Sequence, residues 1–415
     1  MSVVGSQQRT FLHLLAQLRP HWRRDRNLPA RIQSLLTGNR AFGSRDRRLY
    51  RELIYTTLRH LPWIEPLLDR DPSLATRLAA WLAADSAATA KFRTELLADW
   101  PPCPASTADK AAVAHTFAAP LRLDPADLLP AWFLDHCPAA FEPAQRDAFL
   151  ARAPLWLRLQ TDTPARVTDE FAQLGWTFEF SAVLPHALRL LDEVDVTKSA
   201  AYQNGFVEIQ DLASQLLLES AGIAPGGRWL DACAGAGGKT LQLSRLLGPT
   251  GHIDAHDIRP AALDELAARA RRAGAANLSI LRAPPSGLYD GVLVDAPCSG
   301  TGTWRRSPHL KWTTTPAQID EAAATQRRLL TQFAAHVRPG GRLLYATCSL
   351  SHRENEAVIS AFLAAHPDFA IDPPPHRFGA PLSAAGLTFL PAHHDTDGFF
   401  IAALHRPAAP PHNVI

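Results

Sequence analysis

The sequence predicts an α/β protein whose C-terminal half is a doubly wound parallel sheet, preceded by a helical region and a small α/β module. Three observations carry this. From about residue 205 onward, short apolar strands alternate with amphipathic helices, the pattern of a parallel sheet with crossover helices. The first of these strands runs into a glycine-rich turn, Asp231-Ala232-Cys233-Ala234-Gly235-Ala236-Gly237-Gly238-Lys239-Thr240. Residues 7 to about 150 instead carry apolar positions at three- and four-residue spacing, the helical period.

Taken in chain order, 10–18, 30–36, 47–59 and 74–84 read as helices, punctuated by Pro101, Pro102, Pro104, Pro138 and Pro143. Segment 155–159 (LWLRL) reads as a strand, 164–174 as a helix and 176–180 as a second strand. Beyond them, strands are predicted at 228–233, 252–257, 278–281, 291–297 and 342–347, with helices at 239–247, 260–273 and 316–337. Thr315 and Gln318 form a capping box with Pro316 at the first helical position, and Pro339-Gly340-Gly341 stops that helix. The expected division is 1–150, 151–204 and 205–408.

Composition narrows the class. With 415 residues, 47% hydrophobic and 20% charged, the chain is globular in type and long enough for two or three domains. Five scattered cysteines without a CxxC pair argue against zinc and for a reducing compartment. No apolar run approaches the roughly 18 residues of a membrane span, and no secretory core opens the chain. A soluble cytoplasmic protein, monomeric, without metal or membrane contact, is the expectation. The net charge of +2 hides an asymmetry: the first sixty residues hold twelve arginines against Asp25, Asp46 and Glu52. Only five of the 42 basic residues are lysine. Guanidinium groups suit bidentate phosphate contacts, although a solvated helical face explains such a run equally well.

In a doubly wound sheet, ligands bind beyond the carboxyl ends of the strands. The turn at 231–240 has small residues that let a ligand approach the backbone, and it opens a helix whose free N–H groups attract an anion. It is not a phosphate loop, because Cys233 stands where that motif needs glycine, and the GxGxxG spacing is not met. Asp257, 26 residues after Asp231, ends the next strand and is placed to accept from ribose hydroxyls. Cys298 and Cys348 each follow an apolar strand. On neighbouring strands, about 4.8 Å apart, the two thiols would share one crevice. A lone cysteine is usually a small buried hydrophobe; two at matching strand ends point to thiolate chemistry. Arg305, Arg306 and Lys311 follow closely and could supply a positive field while holding a phosphate backbone. Trp304 and Trp312 suit base stacking or burial at a seam, and His393-His394-Asp395 reads as a solvated loop rather than a metal site.

Six stretches in order, GFVEIQDLASQ (205–215), DACAGAGGKT (231–240), DAPCSGTGTWRRSPHLKW (295–312), YATCSL (345–350), RENEAVISAFL (353–363) and DGFFIAALHR (397–406), resemble the Sun/RsmB family of S-adenosylmethionine-dependent RNA cytosine-5 methyltransferases. The resemblance implies a class I Rossmann-like methyltransferase domain over 205–408. A looser likeness at SRDRRLYRELIYTTLRH (44–60) implies a NusB-like RNA-binding domain over 1–150, with Arg45, Arg47 and Arg48 toward ribosomal RNA. The module at 151–204 would then assist RNA recognition. Within the family pattern, Cys348 is the nucleophile at carbon 6 of cytosine, and Cys298 assists proton removal and release. Asp295 would bond the cytosine edge beside the methyl donor. Residues Cys233, Ala234, Gly235, Ala236, Gly237, Gly238 and Lys239 would wrap the cofactor, with Asp257 on its ribose. Two departures stand out. Ala236 replaces the family's proline, which should loosen the loop. Ala283 stands where an aspartate contacts the adenine amino group. The competing readings are a catalytically weak RNA-binding assembly factor and a methyltransferase acting on DNA or a small molecule. DNA cytosine enzymes attack with the cysteine of the PC motif and lack a TCS partner, so Cys348 speaks against the DNA reading.

Overall fold

The computed structural model describes residues 2–117 and 123–408. The chain falls into two units, Met1–Arg152 with Thr303–Thr315, and Ala153–Gly302 with Pro316–Ile415.

The regular elements among the first unit's described residues are all helices, the main ones at Val3–Leu18, Leu28–Gly38, Ser44–Arg59, Leu61–Arg70 and Pro72–Leu82. Helix Ser44–Arg59 shows why the sequence folds this way. Asp46 accepts from the Gly43 N–H and closes the first turn. Leu49, Tyr50, Leu53, Ile54 and Leu58 form one apolar stripe. That stripe joins Phe11, Leu14, Leu15, Trp22 and Trp63 in a single core. Arg45 and Arg48 point to solvent and Arg47 is half-buried.

Segment Thr303–Thr315, expected with the catalytic domain, belongs to this helical unit, and two of the proposed phosphate contacts fail as a result. Lys311 is 1% exposed, and its ammonium donates to the carbonyls of Arg59 (2.8 Å) and Leu128 (3.0 Å). It satisfies carbonyls that helix ends leave unpaired, and burial holds its pKa well below the usual lysine value. Arg305 is likewise buried and donates to the Arg152 carbonyl at 2.9 Å. Neither is accessible to a phosphate backbone; Arg306 is exposed. Trp304 does not offer a face for base stacking, being wholly buried against Phe133, Phe149 and Trp132. The Trp312 indole N–H donates to the Leu58 carbonyl at 2.7 Å.

The second unit begins with a four-stranded antiparallel sheet: β1 (Leu155–Leu159), β2 (Phe178–Phe180), β3 (Ala187–Leu190) and β4 (Val207–Ile209), in the order β2-β3-β1-β4. Its last strand lies past the boundary expected at 204. Helix Ala165–Gln173 closes its core through Val167 and Phe171.

The larger sheet holds β5 (Gly227–Asp231), β6 (Gly251–His256), β7 (Leu278–Leu281), β8 (Tyr289–Asp295), β9 (Val337–Thr347), β10 (Ala370–Ile371), β11 (Leu387–Phe389) and β12 (Phe399–His405). Its order is β10-β12-β9-β8-β5-β6-β7, with β11 on β12. The strands from β9 to β7 run parallel, and β12 joins antiparallel. Both faces are covered, so successive residues feed two cores. Trp229, Leu293, Leu344 and Ile401 enter one with helices Leu212–Ser220 and Gly238–Leu247. Leu230, Val292, Leu343 and Phe400 enter the other with helices Pro316–Ala334 and Glu356–Ala365. The helix from Pro316 stops at Ala334, short of 337, and β9 already runs through Pro339-Gly340-Gly341. Among the described residues no helix is long and apolar enough to cross a membrane.

Trp304→Ala should destabilise the protein by about 3–5 kcal/mol, the usual cost of emptying a buried tryptophan site. Urea unfolding measures this, and a loss below about 0.5 kcal/mol would return Trp304 to the surface.

Candidate active site

The parallel strands β5, β6, β8 and β9 finish side by side, and the chemistry-bearing residues sit on their carboxyl ends. After β5 the chain turns sharply. The Ala234 N–H bonds the His256 carbonyl at the end of β6, and the Gly237 N–H returns to the Ala234 carbonyl. Gly237 has φ +90° and leads helix Gly238–Leu247; a Cβ there would lie 2.1 Å from Leu266 Cδ1. Only glycine meets both demands.

The loop does not depend on a proline to hold its shape. The Ala236 carbonyl accepts from Arg269 at 2.8 Å, and the Gly238 carbonyl accepts from Arg158 at 3.0 Å. Glu208, itself buried, pairs with Arg269 at 2.8 Å and also with Arg272. Burial brings Arg158 down to about 9. Two guanidinium groups thus bind the loop's carbonyls where looseness was expected from the loss of proline. Nothing in single-residue patterning singles out Arg158, Glu208 or Arg269, which come from three separate elements.

The two thiols are neighbours. Asp295 on β8 registers with Ala346 on β9, and the loops that follow bring Cys298 Sγ within 3.2 Å of Cys348 Sγ. Both remain partly exposed. The hydrogen bond with Cys348, followed by burial, raises the Cys298 pKa well above the ordinary thiol value. Cys348 is backed by a close meeting of two glycines: the Gly302 N–H bonds the Cys348 carbonyl, and the Gly398 N–H bonds the Gly302 carbonyl at 2.7 Å. A Cβ on Gly302 would lie 2.0 Å from the Gly398 carbonyl oxygen. Both DGFF and SGTG owe their glycines to this approach.

Lys239 and Asp295 face each other, with Nζ 2.9 Å from Oδ2. Asp231 lies beneath them, 1% exposed. Thr240 donates to its Oδ2 at 2.7 Å, while Oδ1 has no hydrogen-bond partner. Burial is the main reason its carboxyl is pushed up to about 7. Burial likewise pushes the Cys233 thiol well up, so Cys233 stays protonated.

Asp257 is buried, and its oxygens accept from the Gly235 N–H and from the backbone and side chain of Arg259. Burial works to raise its pKa, but these donors outweigh it and the net shift is downward. Beside it Ile258 is 88% exposed, an apolar surface that the sequence did not single out. Ala283 is exposed, and the neighbouring Arg282 is engaged with Asp264. His393 and His394 lie on a short helix, Pro391–His394, rather than in the expected loop. Asp395 pairs with Arg189 at 2.5 Å.

A sheet of this order and direction, with a glycine turn after its first strand, defines a Rossmann-like α/β protein of the methyltransferase type. The profile of the 16S rRNA methyltransferase RsmB/F family matches residues 222–405. The ribosomal RNA small subunit methyltransferase B of Xanthomonas campestris pv. campestris is 31% identical over 411 residues, covering 91% of this chain and 93% of that protein. The probable enzyme of the same name from Synechocystis is 33% identical over 67% of this chain, which spans 66% of that protein's length. The chain belongs to the RsmB/F family. Among solved structures, PH0851 shares the fold with TM-score 0.69 at 24% identity, over 90% of this chain and 93% of that one. NSun6 from Pyrococcus horikoshii with SFG shares it with TM-score 0.58 at 18% identity, over 65% and 96%.

The buried acid makes a signed prediction. An unfolded chain ionises Asp231 near pH 3.9, by the ordinary aspartate value of about 3.9, whereas the folded protein holds that proton up to about 7. The native state therefore loses stability as pH rises through this window. The melting-temperature gain of Asp231→Asn over the parent should be larger at pH 8 than at pH 5 in scanning fluorimetry. A gain that does not change with pH contradicts a buried neutral acid.

Proposed function

We propose that this protein transfers a methyl group from S-adenosylmethionine to carbon 5 of a cytosine in ribosomal RNA, through a covalent adduct with Cys348. The observation that carries this reading is the 3.2 Å approach of Cys298 and Cys348 in the loops that follow two adjacent parallel strands, at the same sheet end as the glycine turn.

The residues suit the cofactor. Asp231 Oδ1, buried without a partner, offers an acceptor for the methionine ammonium. The turn from Cys233 to Lys239 offers backbone close enough for contact. Asp257 can take ribose hydroxyls once the Arg259 side chain, 67% exposed, turns to solvent. Ile258 offers an apolar face for adenine, where Ala283 has no polar group to give. When bound, S-adenosylmethionine supplies an electrophilic methyl group on a sulfonium.

Carbon 5 of cytosine is a poor nucleophile while the ring is aromatic. The Cys348 thiolate forms a bond to carbon 6, and the displaced π electrons make carbon 5 an enamine carbon able to take the methyl group. The raised pKa of Cys298 keeps the proton on that sulfur, which can then hydrogen-bond the Cys348 thiolate proposed as nucleophile. Once Cys348 is bonded to carbon 6 as a neutral thioether, the charge that held this proton is gone. Cys298 then loses its proton to solvent and accepts the one from carbon 5. The ring double bond re-forms and Cys348 leaves as thiolate. Asp295, one-third exposed and paired with Lys239, is the group for the cytosine edge. The pyrimidine face is reachable only in an unpaired or flipped nucleotide. The helical unit, with Arg45, Arg48 and the exposed Arg306, is proposed as a NusB-like RNA-binding domain. The alternative, a catalytically weak assembly factor, draws on Ala283 alone.

Tritiated methyl transfer to ribosomal RNA tests the roles. Cys348→Ala should lose activity by at least a thousandfold, and Cys298→Ala should leave a covalent RNA adduct visible on denaturing gels. Full activity of the Cys348 variant would overturn the assignment.

A further inference from the structure

The stretch RENEAVISAFL takes no part in the mechanism above, yet Glu354 within it is fully buried between the two thiol-bearing loops. Four donors converge on its carboxylate. Oε1 accepts from the Ser299 N–H at 2.8 Å and from Gln326 Nε2 at 2.9 Å. Oε2 accepts from the Ser349 hydroxyl at 2.5 Å and from the Ser299 hydroxyl. Four donors fill the four lone-pair sites of a carboxylate. Ser299 adjoins Cys298, and Ser349 adjoins Cys348.

The surrounding bonds lead to the same place. Gln326 also donates to the Pro297 carbonyl at 3.0 Å, just before Cys298. Asn355 donates to the Ser349 carbonyl at 2.9 Å and accepts from the Thr347 hydroxyl at 2.7 Å, so it fixes both flanks of Cys348. The Tyr345 hydroxyl donates to the Glu354 carbonyl at 2.6 Å. The Thr301 hydroxyl oxygen accepts from the Leu350 N–H at 2.9 Å and ties the loops a second time.

We infer that Glu354 is a positioning residue: it joins the loops after β8 and β9 into one unit and so sets the separation of the Cys298 and Cys348 sulfurs. This rests on the thiol roles proposed above for its catalytic consequence, but not for its geometry. A carboxylate, as a pure acceptor, holds two serine hydroxyls and two N–H groups at once, which no neutral side chain of that size does. A gap of even 1 Å between nucleophile and base is costly in rate.

The test pairs kinetics with a reagent that reads sulfur spacing without RNA. Phenylarsine oxide bridges two thiols only when they lie close together, and the signal of interest is the part lost in Cys298→Ala. Glu354→Ala should slow this capture at least tenfold and lower kcat at least tenfold, with KM for S-adenosylmethionine within about threefold of the parent. Glu354→Gln, which keeps the shape and can accept at one oxygen, should restore part of both. If Glu354→Ala does not fold, the double variant Ser299→Ala/Ser349→Ala, which trims only two hydroxyls, must slow capture and lower kcat in the same direction. Parental capture and parental kcat in a folded Glu354→Ala or in the serine pair overturns the inference. A parent protein without cytosine methylation would sink the proposed function, while the arsenical result would still decide the role of Glu354.

Discussion

The parallel pairing of β8 with β9 is the constraint on which the rest depends. A register of Asp295 against Ala346 fixes where each strand ends, and two sulfurs 3.2 Å apart follow from it. Slipping one strand by a residue would turn its side chains to the opposite faces. A slip of β8 would take Val292 out of one core and Leu293 out of the other, and a slip of β9 would do the same to Leu343 and Leu344. Packing on both sides of the sheet therefore protects the chemistry at its edge.

That edge is crowded with acids. Asp231, Asp257 and Glu354 are all buried within reach of it, and each is treated differently. Glu354 has four donors, Asp257 has a guanidinium and two backbone N–H groups, and Asp231 keeps an oxygen with none. An unpaired buried acceptor is costly. Such a cost persists where a ligand is there to relieve it, and the position of Asp231 under the glycine turn fits a cationic group in that role.

Much of this was legible from residue order. The five parallel strands of the large sheet, the glycine turn, Asp257 and the paired cysteines all follow from periodicity and from the rule that ligands gather at strand ends. The failures have physical causes. Arg305 and Lys311 look like phosphate ligands because sequence shows charge and not burial; backbone carbonyls of the helical unit claim them instead. Strands β3 and β4 are short pieces that their antiparallel pairing with β1 defines, and that pairing leaves no mark in residue order. Glu354 was visible only as part of a motif, since its four donors come from positions 299, 326 and 349. The support beneath the glycine turn, from Arg158, Glu208 and Arg269, is a tertiary substitute for a proline and leaves no local mark.

The thiol pair at the end of β8 and β9 is most directly tested by trapping. RNA carrying 5-fluorocytidine has no proton to release from carbon 5, so an adduct formed by attack at carbon 6 persists after methyl transfer. Peptide mass spectrometry of the trapped complex should find the nucleotide on Cys348. Methyl transfer with no adduct, or an adduct on Cys298 alone, would contradict the account.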